Sequence, residues 1–199
     1  MSIFSAIVIG YLLGSIPFGF ILVRSFRGVD IRNVGSGNIG ATNVARSSPL
    51  LGILTLALDA LKGFAAVALT VFLFPGRPVL ATAVALFAIA GHMFPVWLHF
   101  RGGKGVATGL GSFVVLAPKA VLFALAIFAV VVLVFRYVSL GSIIAVILFP
   151  LLVILIDRQL CNPAIAWIAV ASVLIVFRHH ANIRRLIAGT EPRFRWKRG

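Results

Sequence analysis

Acidic residues and cysteine are almost absent from this chain of 199 residues. Asp and Glu together number 4, against 18 Lys and Arg, and Cys161 is the single cysteine. One cysteine excludes an internal disulfide, and without a Cys or His partner at metal-ligand spacing we interpret it as a buried apolar residue. The carboxylates of Asp30, Asp59, Asp157 and Glu191 are too dispersed to form the oxygen cage of a divalent cation. We therefore expect neither a metal nor a cofactor.

Charged residues of any kind are also scarce. They make up 11% of the chain, whereas apolar residues make up 61%, and the mean hydropathy is +1.14. These values exceed what a soluble core of this length requires. A helix needs about 20 apolar residues to cross roughly 30 Å of hydrocarbon. The composition predicts an all-α polytopic membrane protein, with 1–199 forming one integral membrane domain.

Long apolar runs mark the candidate membrane spans. They lie at 3–23, 50–74, 79–98, 106–135, 138–156 and 163–177. The first run lacks the basic region of a signal peptide and contains Gly14 to Pro17, so we keep it as a span. The fourth run, 106–135, fits either one long tilted helix or two short spans joined at Ala117-Pro118-Lys119, where proline removes a helix hydrogen bond.

The distribution of Lys and Arg decides between six and seven crossings, because cytoplasmic loops carry an excess of both. With seven transmembrane helices and an external N-terminus, only Arg77, Lys119 and Arg158 of the loop cations face outward. Six crossings would instead place the basic C-terminal tail outside. The sequence therefore predicts seven spans, with the N-terminus outside and the C-terminus in the cytoplasm.

Three polar motifs interrupt the apolar chain. Motif 1 covers 33–46 and contains GSGNIGATNVAR at 35–46, motif 2 covers 91–111 and contains GHMFP and RGGKG, and motif 3 covers 178–191 and contains HHANIRRL. Polar groups are costly in a membrane. Motifs rich in backbone N–H donors and cations therefore suggest one shared anion site, and the topology predicts that all three motifs are cytoplasmic.

Motif 1 matches the dinucleotide pattern G-x-G-x-x-G in letters only. That pattern must follow a strand in a βαβ unit, whereas here it follows a membrane helix. Its glycines nevertheless let successive N–H groups converge on an anion, and the neighbouring polar side chains add donors. A flexible loop that merely joins two helices is the alternative. The candidate anion ligands of motif 1 are Ser36, Gly37, Asn38, Gly40, Asn43 and Arg46.

Motif 2 surrounds Lys104 with Gly102, Gly103 and Gly105, directly before a predicted helix. A helix N-terminus favours negative charge, so Lys104 is a candidate phosphate ligand. The spacing does not fit a Walker P-loop. His92 fits a structural or a functional role equally well. For Asp59 and Lys62, three residues apart in the second long span, mutual neutralisation is the default interpretation.

Motif 3 places His179 and Asn182 on one helical face. Glu191 is either part of the site or the partner of a neighbouring arginine, and Ser142 lies near the inner end of a span. We expect Arg184, Arg185 and the basic tail to face anionic lipid headgroups. Nucleic-acid binding is not expected, because the cations are divided among membrane loops and no recognition module is present.

With these motifs in order along its whole length, the chain resembles the bacterial acyl-phosphate:glycerol-3-phosphate acyltransferases, the PlsY family. The resemblance implies an enzyme of the bacterial inner membrane with its active site facing the cytoplasm. It also implies transfer of an acyl group from acyl phosphate to the sn-1 hydroxyl of glycerol 3-phosphate, giving lysophosphatidic acid and phosphate. Neither coenzyme A nor acyl carrier protein would serve as donor.

Matching the family motifs onto this chain gives a set of site residues. Catalytic roles fall to Lys104, His179, Ser142 and Glu191. Substrate-binding roles fall to the motif 1 ligands, His92, Gly102, Gly103, Gly105 and Asn182. His180 stands where the family often has arginine. Acyl phosphate is already activated, so positioning and charge stabilisation suffice, and no G-x-S-x-G nucleophile motif is present. The base is either His179 or a phosphate oxygen of the donor.

Two other functions also fit a membrane protein with polar loops. A transporter of a phosphorylated solute would use glycine breaks in its spans, but the three motifs are predicted on one face and no inverted repeat is visible. A noncatalytic scaffold could bind anionic lipid through the basic tail, but it would leave motifs 1 and 2 without a role.

Overall fold

The computed structural model describes residues 2–157, 160 and 162–194, and within them every regular element is helical. The longer helices are α1 (Ile3–Ser15), α2 (Phe18–Arg27), α3 (Ala41–Ser47), α4 (Pro49–Leu73), α5 (Pro78–Met93), α6 (Val106–Leu116), α7 (Pro118–Phe135), α8 (Val138–Ile156), α9 (Asn162–Phe177) and α10 (His180–Ile187). The all-α prediction is confirmed. Our interpretations of Cys161, Arg158 and the tail beyond Phe194 lie outside the described residues.

Several helices are long and apolar enough to cross a membrane. Five candidate spans meet that test in the described chain, one of them Ile3–Arg27, which joins α1 and α2. A sixth is possible if α9 and α10, which bend by 55° at their junction, form one span. Helix α6 has 11 residues and rises only about 16 Å. The count of seven crossings therefore stays a prediction.

Proline explains where the long helices break and begin. Pro49, Pro78 and Pro118 occupy the first turns of α4, α5 and α7, where a missing N–H leaves no helix hydrogen bond unmade. The break expected at Ala117-Pro118-Lys119 is confirmed, and the alternative of one continuous helix over 106–135 is wrong. Pro17 stands at the N-cap of α2 and separates it from α1.

The chain divides into two compact units, with bounds Met1–Leu116 and Ala117–Gly199. In unit 1, α1 packs on α5, and α4 packs on α6. Glycines bring these helices close together: a Cβ on Gly14 would overlap the backbone of Ala88, and one on Gly111 would overlap that of Ala60. Small residues that allow such close approach are typical of helix packing in membranes. This packing fixes α6, which begins directly after the glycines around Lys104, against α4.

Unit 2 is built from α7 to α10, with α8 packed between α7 and α9. Gly141 of α8 lies against the Phe128 side chain and carbonyl of α7. At the start of α7, the backbone N–H of Ala120 donates to Oδ2 of Asp157 at 2.6 Å. Large apolar side chains such as Leu122 and Phe177 are exposed on the helices, as lipid contact requires.

Candidate functional site

Motif 1 forms a tight turn that the buried side chain of Asn43 holds in place. Gly35 and Gly37 adopt left-handed backbone angles, with φ of 60° and 70°, which glycine reaches without steric cost. Oδ1 of Asn43 accepts the N–H of Ser36 at 2.9 Å. Its Nδ2 donates to the carbonyls of Val34 and Asn38, both at 2.9 Å. The turn is therefore built around one amide and is not a loose linker.

Some polar side chains of motif 1 bond the backbone of the turn, and others are exposed to solvent. Asn38 Oδ1 accepts the N–H of Gly40 at 2.8 Å, just before α3 begins. Ser36 and Arg46 are exposed. Arg46 Cδ lies beside the turn, 3.9 Å from the position a Cβ on Gly35 would take. The structure thus brings an arginine, a hydroxyl and a glycine turn together, a combination suited to binding an anion.

Motif 2 folds back onto the end of α5. Gly102 donates its N–H to the carbonyl of Met93 at 3.1 Å, and Gly103 donates to that of His92 at 3.0 Å. Gly103 packs so closely on the His92 ring that a Cβ there would overlap it. Gly105 is left-handed, with φ of 86°, and α6 begins one residue later. The half-buried Lys104 therefore stands just before the N-terminus of α6. There the charge of its ammonium group adds to the partial positive charge of the helix N-terminus.

Behind motif 2, three ionisable side chains form a buried group. Lys62 Nζ lies 2.8 Å from Oδ1 of Asp59, and Nδ1 of His92 lies 3.5 Å from the same oxygen. Lys62 also donates to the carbonyl of Ile16 at 2.7 Å, at the break between α1 and α2. The interpretation of Asp59 and Lys62 as a neutralising pair is confirmed. The addition of His92 connects that pair to motif 2.

Glu191 is the centre of the polar cluster in unit 2. Oε1 accepts hydrogen bonds from Ser139 Oγ and Asn182 Nδ2, both at 2.6 Å, and Oε2 accepts from Arg185 Nε at 2.7 Å. The interpretation that Glu191 pairs with a neighbouring arginine is confirmed. The Arg185 side chain bonds this carboxylate through Nε and is still 37% exposed, so the expectation that it faces lipid headgroups stays a prediction.

These contacts set the charge state of Glu191. Burial raises the pKa of its carboxyl, but the hydrogen bonds from Ser139, Asn182 and Arg185 stabilise the carboxylate more strongly. The pKa of Glu191 therefore lies below its ordinary value. As an ionised and fully bonded group, Glu191 is suited to orienting its partners, Asn182 above all.

His179 lies just before α10 and is buried. Its Nδ1 is 2.7 Å from the carbonyl of Ile175. A carbonyl oxygen only accepts, so Nδ1 carries the proton, and in the neutral ring Nε2 is the acceptor. Asn182 follows in the first turn of α10, and Ser142 Oγ donates to the carbonyl of Val138 at 3.0 Å. An imidazole in this tautomer can take a proton at Nε2.

A cleft with a volume of about 610 Å³ opens beside this cluster within unit 2. It is lined by Arg136, Tyr137, Gly189, Glu191, Pro192, Arg193 and Phe194. Arg193 Nε donates to the Tyr137 hydroxyl at 3.1 Å. The arginines give the cleft a positive character that favours an anionic ligand.

The structure thus groups the predicted residues by unit. Unit 1 holds all candidates of motifs 1 and 2, and unit 2 holds Ser142, His179, Asn182 and Glu191. The convergence of all three motifs on one site stays a prediction. Sequence reasoning missed Ser139 as a partner of Glu191 and Ile16 as a partner of Lys62. These pairs are 52 and 46 residues apart, and no local spacing signals them.

Apolar helices of membrane-spanning length are those of an integral membrane protein. Its glycine turns, with Lys104 beside Gly105 and Arg46 of α3 beside Gly35, are suited to binding an anion. The chain belongs to the glycerol-3-phosphate acyltransferase family, whose model matches residues 4–189. It is 52% identical over 186 residues to the glycerol-3-phosphate acyltransferase of Trichlorobacter lovleyi, covering 93% of this chain and 94% of that one. It is 48% identical over 196 residues to that of Syntrophotalea carbinolica, covering 98% of each chain.

Solved structures agree with this assignment. The chain resembles a crystal structure of PlsY, an integral membrane glycerol 3-phosphate acyltransferase, in its glycerol 3-phosphate form, with a TM-score of 0.92 and 40% identity, over 98% of this chain and 96% of that one. The lysophosphatidic acid form of PlsY matches with a TM-score of 0.90 and 39% identity, over the same shares of the two chains. The resemblance to the PlsY family is thereby confirmed, and the chain is an integral membrane acyltransferase of phospholipid synthesis.

Proposed function

We propose that this enzyme transfers a fatty acyl group from acyl phosphate to the sn-1 hydroxyl of glycerol 3-phosphate. The hydroxyl oxygen attacks the acyl carbonyl carbon, the carbon–oxygen bond to phosphate breaks, and lysophosphatidic acid and inorganic phosphate are released. The observation that carries the proposal is Lys104, set between left-handed Gly105 and buried Gly103 at the start of α6. The solved relatives hold glycerol 3-phosphate and lysophosphatidic acid, the acceptor and product of such a reaction.

Unit 1 supplies the phosphate ligands in this proposal. Ser36, Arg46 and Lys104 bind phosphate oxygens together with backbone N–H groups of Gly37, Gly40, Gly102, Gly103 and Gly105. Asn38 and Asn43 shape the turn, since their side chains already bond its backbone. The cations stabilise negative charge on the leaving phosphate as the bond to carbon breaks.

Unit 2 supplies groups for the acceptor hydroxyl. His179, with Nδ1 protonated toward Ile175, can take the hydroxyl proton at Nε2. A phosphate oxygen of the donor is the alternative base. Ser142 and Asn182 orient the acceptor, and Glu191 holds Asn182 in position at 2.6 Å. A His179→Gln variant separates the two bases: loss of turnover with a changed pH profile of kcat identifies His179, and an unchanged pH profile identifies the donor phosphate.

The donor is tested by direct comparison with the purified enzyme in detergent. With glycerol 3-phosphate as acceptor, palmitoyl phosphate should give 1-acyl product and free phosphate, whereas palmitoyl-coenzyme A and palmitoyl-acyl carrier protein should give none. Lys104→Ala should lower the rate at least a hundredfold, and Lys119→Ala, which changes an exposed lysine at the start of α7, should leave it unchanged. Turnover with either thioester at the rate of palmitoyl phosphate would contradict the proposed donor.

The proposal also includes the setting of the enzyme. It resides in the bacterial cytoplasmic membrane with seven crossings, its N-terminus outside, and the motif loops at 33–46, 91–111 and 178–191 facing the cytoplasm. The distribution of loop cations supports this orientation. Membrane lipids surround the apolar helices, and the acyl chain of the donor lies among those helices.

A further inference from the structure

We propose that the buried group of Asp59, Lys62 and His92 positions both phosphate-binding loops of unit 1 and thereby sets the binding of phosphorylated substrates. This inference rests on the proposed function of motifs 1 and 2. The three side chains are 2 to 4% exposed, so they do not contact substrate from solvent. They act through the backbone that they hold, as positioning residues.

The first connection runs from Asp59 through His92 to motif 2. Nδ1 of His92 lies 3.5 Å from Oδ1 of Asp59, which places the imidazole beside the carboxylate. On the other side the ring lies against Gly103, and the His92 carbonyl accepts the N–H of Gly103 at 3.0 Å. Lys104 is the next residue along the chain. A movement of His92 therefore displaces the peptide that carries Lys104.

The second connection runs from Lys62 to the α1–α2 break and on to motif 1. Lys62 Nζ donates to the Ile16 carbonyl at 2.7 Å and lies 5.7 Å from the centre of the Phe18 ring. Gly19 follows, and it packs so closely on the carbonyl of Ile39 that a Cβ would overlap it. Ile39 belongs to motif 1. The same charge pair thus holds the segment on which motif 1 rests.

Helix α4 makes this arrangement rigid. It carries both Asp59 and Lys62, and α6 packs against it through Gly63 beside Thr108 and Gly111 beside Ala60. Lys104 is therefore held on its N-terminal side by His92 and on its C-terminal side by α6, and both connections lead to α4. A buried charged pair is costly to maintain, and its connections to motif 2 through His92 and to motif 1 through the α1–α2 break give that cost a function.

Changes to the group must separate positioning from folding. Removing one charge leaves its partner buried and uncompensated, which is strongly destabilising. The double variant Asp59→Leu with Lys62→Met avoids this, because it replaces the pair by apolar side chains of similar size. His92→Ala removes the ring but leaves the pair intact. Thr70→Val is the matched control, since Thr70 is buried on α4 and its hydroxyl bonds only the carbonyl of Ala66 among the contacts described.

The experiment measures melting temperature in detergent, kcat, and KM for palmitoyl phosphate and glycerol 3-phosphate. We expect the double variant and His92→Ala to melt within a few degrees of the wild type. In both, KM for at least one substrate should rise tenfold or more. In Thr70→Val, kcat and both KM values should stay within twofold of the wild type. Unchanged constants in folded variants would overturn the proposal, and so would unfolding, because it would assign the group to stability alone.

A double-mutant cycle with Lys104→Ala gives a readout that a merely structural role does not move. If His92 acts through Lys104, His92→Ala should cost tenfold in the wild type and less than twofold when Lys104 is already absent. Equal costs in both backgrounds would contradict the positioning role. The wild type is assayed in parallel. If palmitoyl phosphate is not the donor, the wild type is inactive. If the donor is correct but the buried group has no positioning role, the wild type and the variants are equally active.

Discussion

At the scale of single residues, Lys104 and Arg46 are the cations on which the proposed chemistry depends. Each stands next to a glycine with a left-handed or tightly packed backbone, so that N–H groups and a positive side chain face the same small volume. The residue types and their order in the motifs were sufficient to predict this pairing of cation and glycine. The sequence did not indicate that Asn43 fills the centre of the motif 1 turn.

Substitution of either cation should reduce turnover. We expect Lys104→Ala and Arg46→Ala each to lower kcat/KM at least a hundredfold, on the order of 3 kcal/mol, because removal of one charge-stabilising donor typically costs that much. Phosphate release from palmitoyl phosphate measures the effect. Arg77→Ala and Lys119→Ala, both exposed cations outside the motifs, should retain activity within twofold. Near-normal turnover of both motif variants would contradict the anion-site assignment.

Glu191 gives the folded protein a pH dependence of definite sign. Its pKa in the folded state lies below the ordinary value of 4.5 because, although burial raises it, three hydrogen bonds outweigh burial. Such a carboxyl adds stability above its ordinary pKa and loses that contribution as pH falls through the folded-state pKa. The melting temperature of the wild type should therefore drop more between about pH 6 and about pH 3 than that of Glu191→Gln. Parallel curves would contradict this assignment.

At the scale of helices, the prolines in the sequence predicted where helices break, but they did not predict how long each helix is. Pro118 ends one helix and begins another, as expected, yet the first piece, α6, has only 11 residues. The contacts between elements were not predictable, because helix approach in a membrane depends on which small residues meet. Gly111 against Ala60 and Gly14 against Ala88 join segments with no shared sequence signal.

The α4–α6 contact should be sensitive to added volume. Gly111→Val places a branched side chain against the backbone of Ala60, and overpacking of this kind costs about 1–3 kcal/mol. We expect a lower melting temperature in detergent and lower activity, since α6 follows the loop that carries Lys104. The control is Val114→Ala, an exposed position on the same helix, which should change neither. An unaltered Gly111→Val enzyme would show that α6 is not held in this way.

At the scale of the whole molecule, composition alone established an all-helical membrane protein, and the motifs indicated its family. The number of crossings could not be derived from composition. An 11-residue apolar helix and a pair of helices bent by 55° both differ from the single helix of about 20 residues that spans a membrane. The predicted orientation depends on how many Lys and Arg residues lie in the loops on each side of the membrane, and these numbers change when a span is added or removed.

Cysteine labelling tests the predicted orientation. Since Cys161 is the single cysteine, Cys161→Ala gives a cysteine-free background with one change. In intact spheroplasts, a membrane-impermeant maleimide should label Ser2→Cys, whereas Gly189→Cys should react only after the membrane is opened. Both positions are exposed in the structure. Labelling of both positions from the same side would exclude seven crossings.

In the proposed reaction, this enzyme passes an acyl group directly from acyl phosphate to glycerol 3-phosphate. The most direct measurement is the stoichiometry of products from purified protein supplied with palmitoyl phosphate and radiolabelled glycerol 3-phosphate. Lysophosphatidic acid and inorganic phosphate should form in equal molar amounts, and only when both substrates are present. Phosphate release that does not depend on glycerol 3-phosphate, or the absence of lysophosphatidic acid, would contradict it.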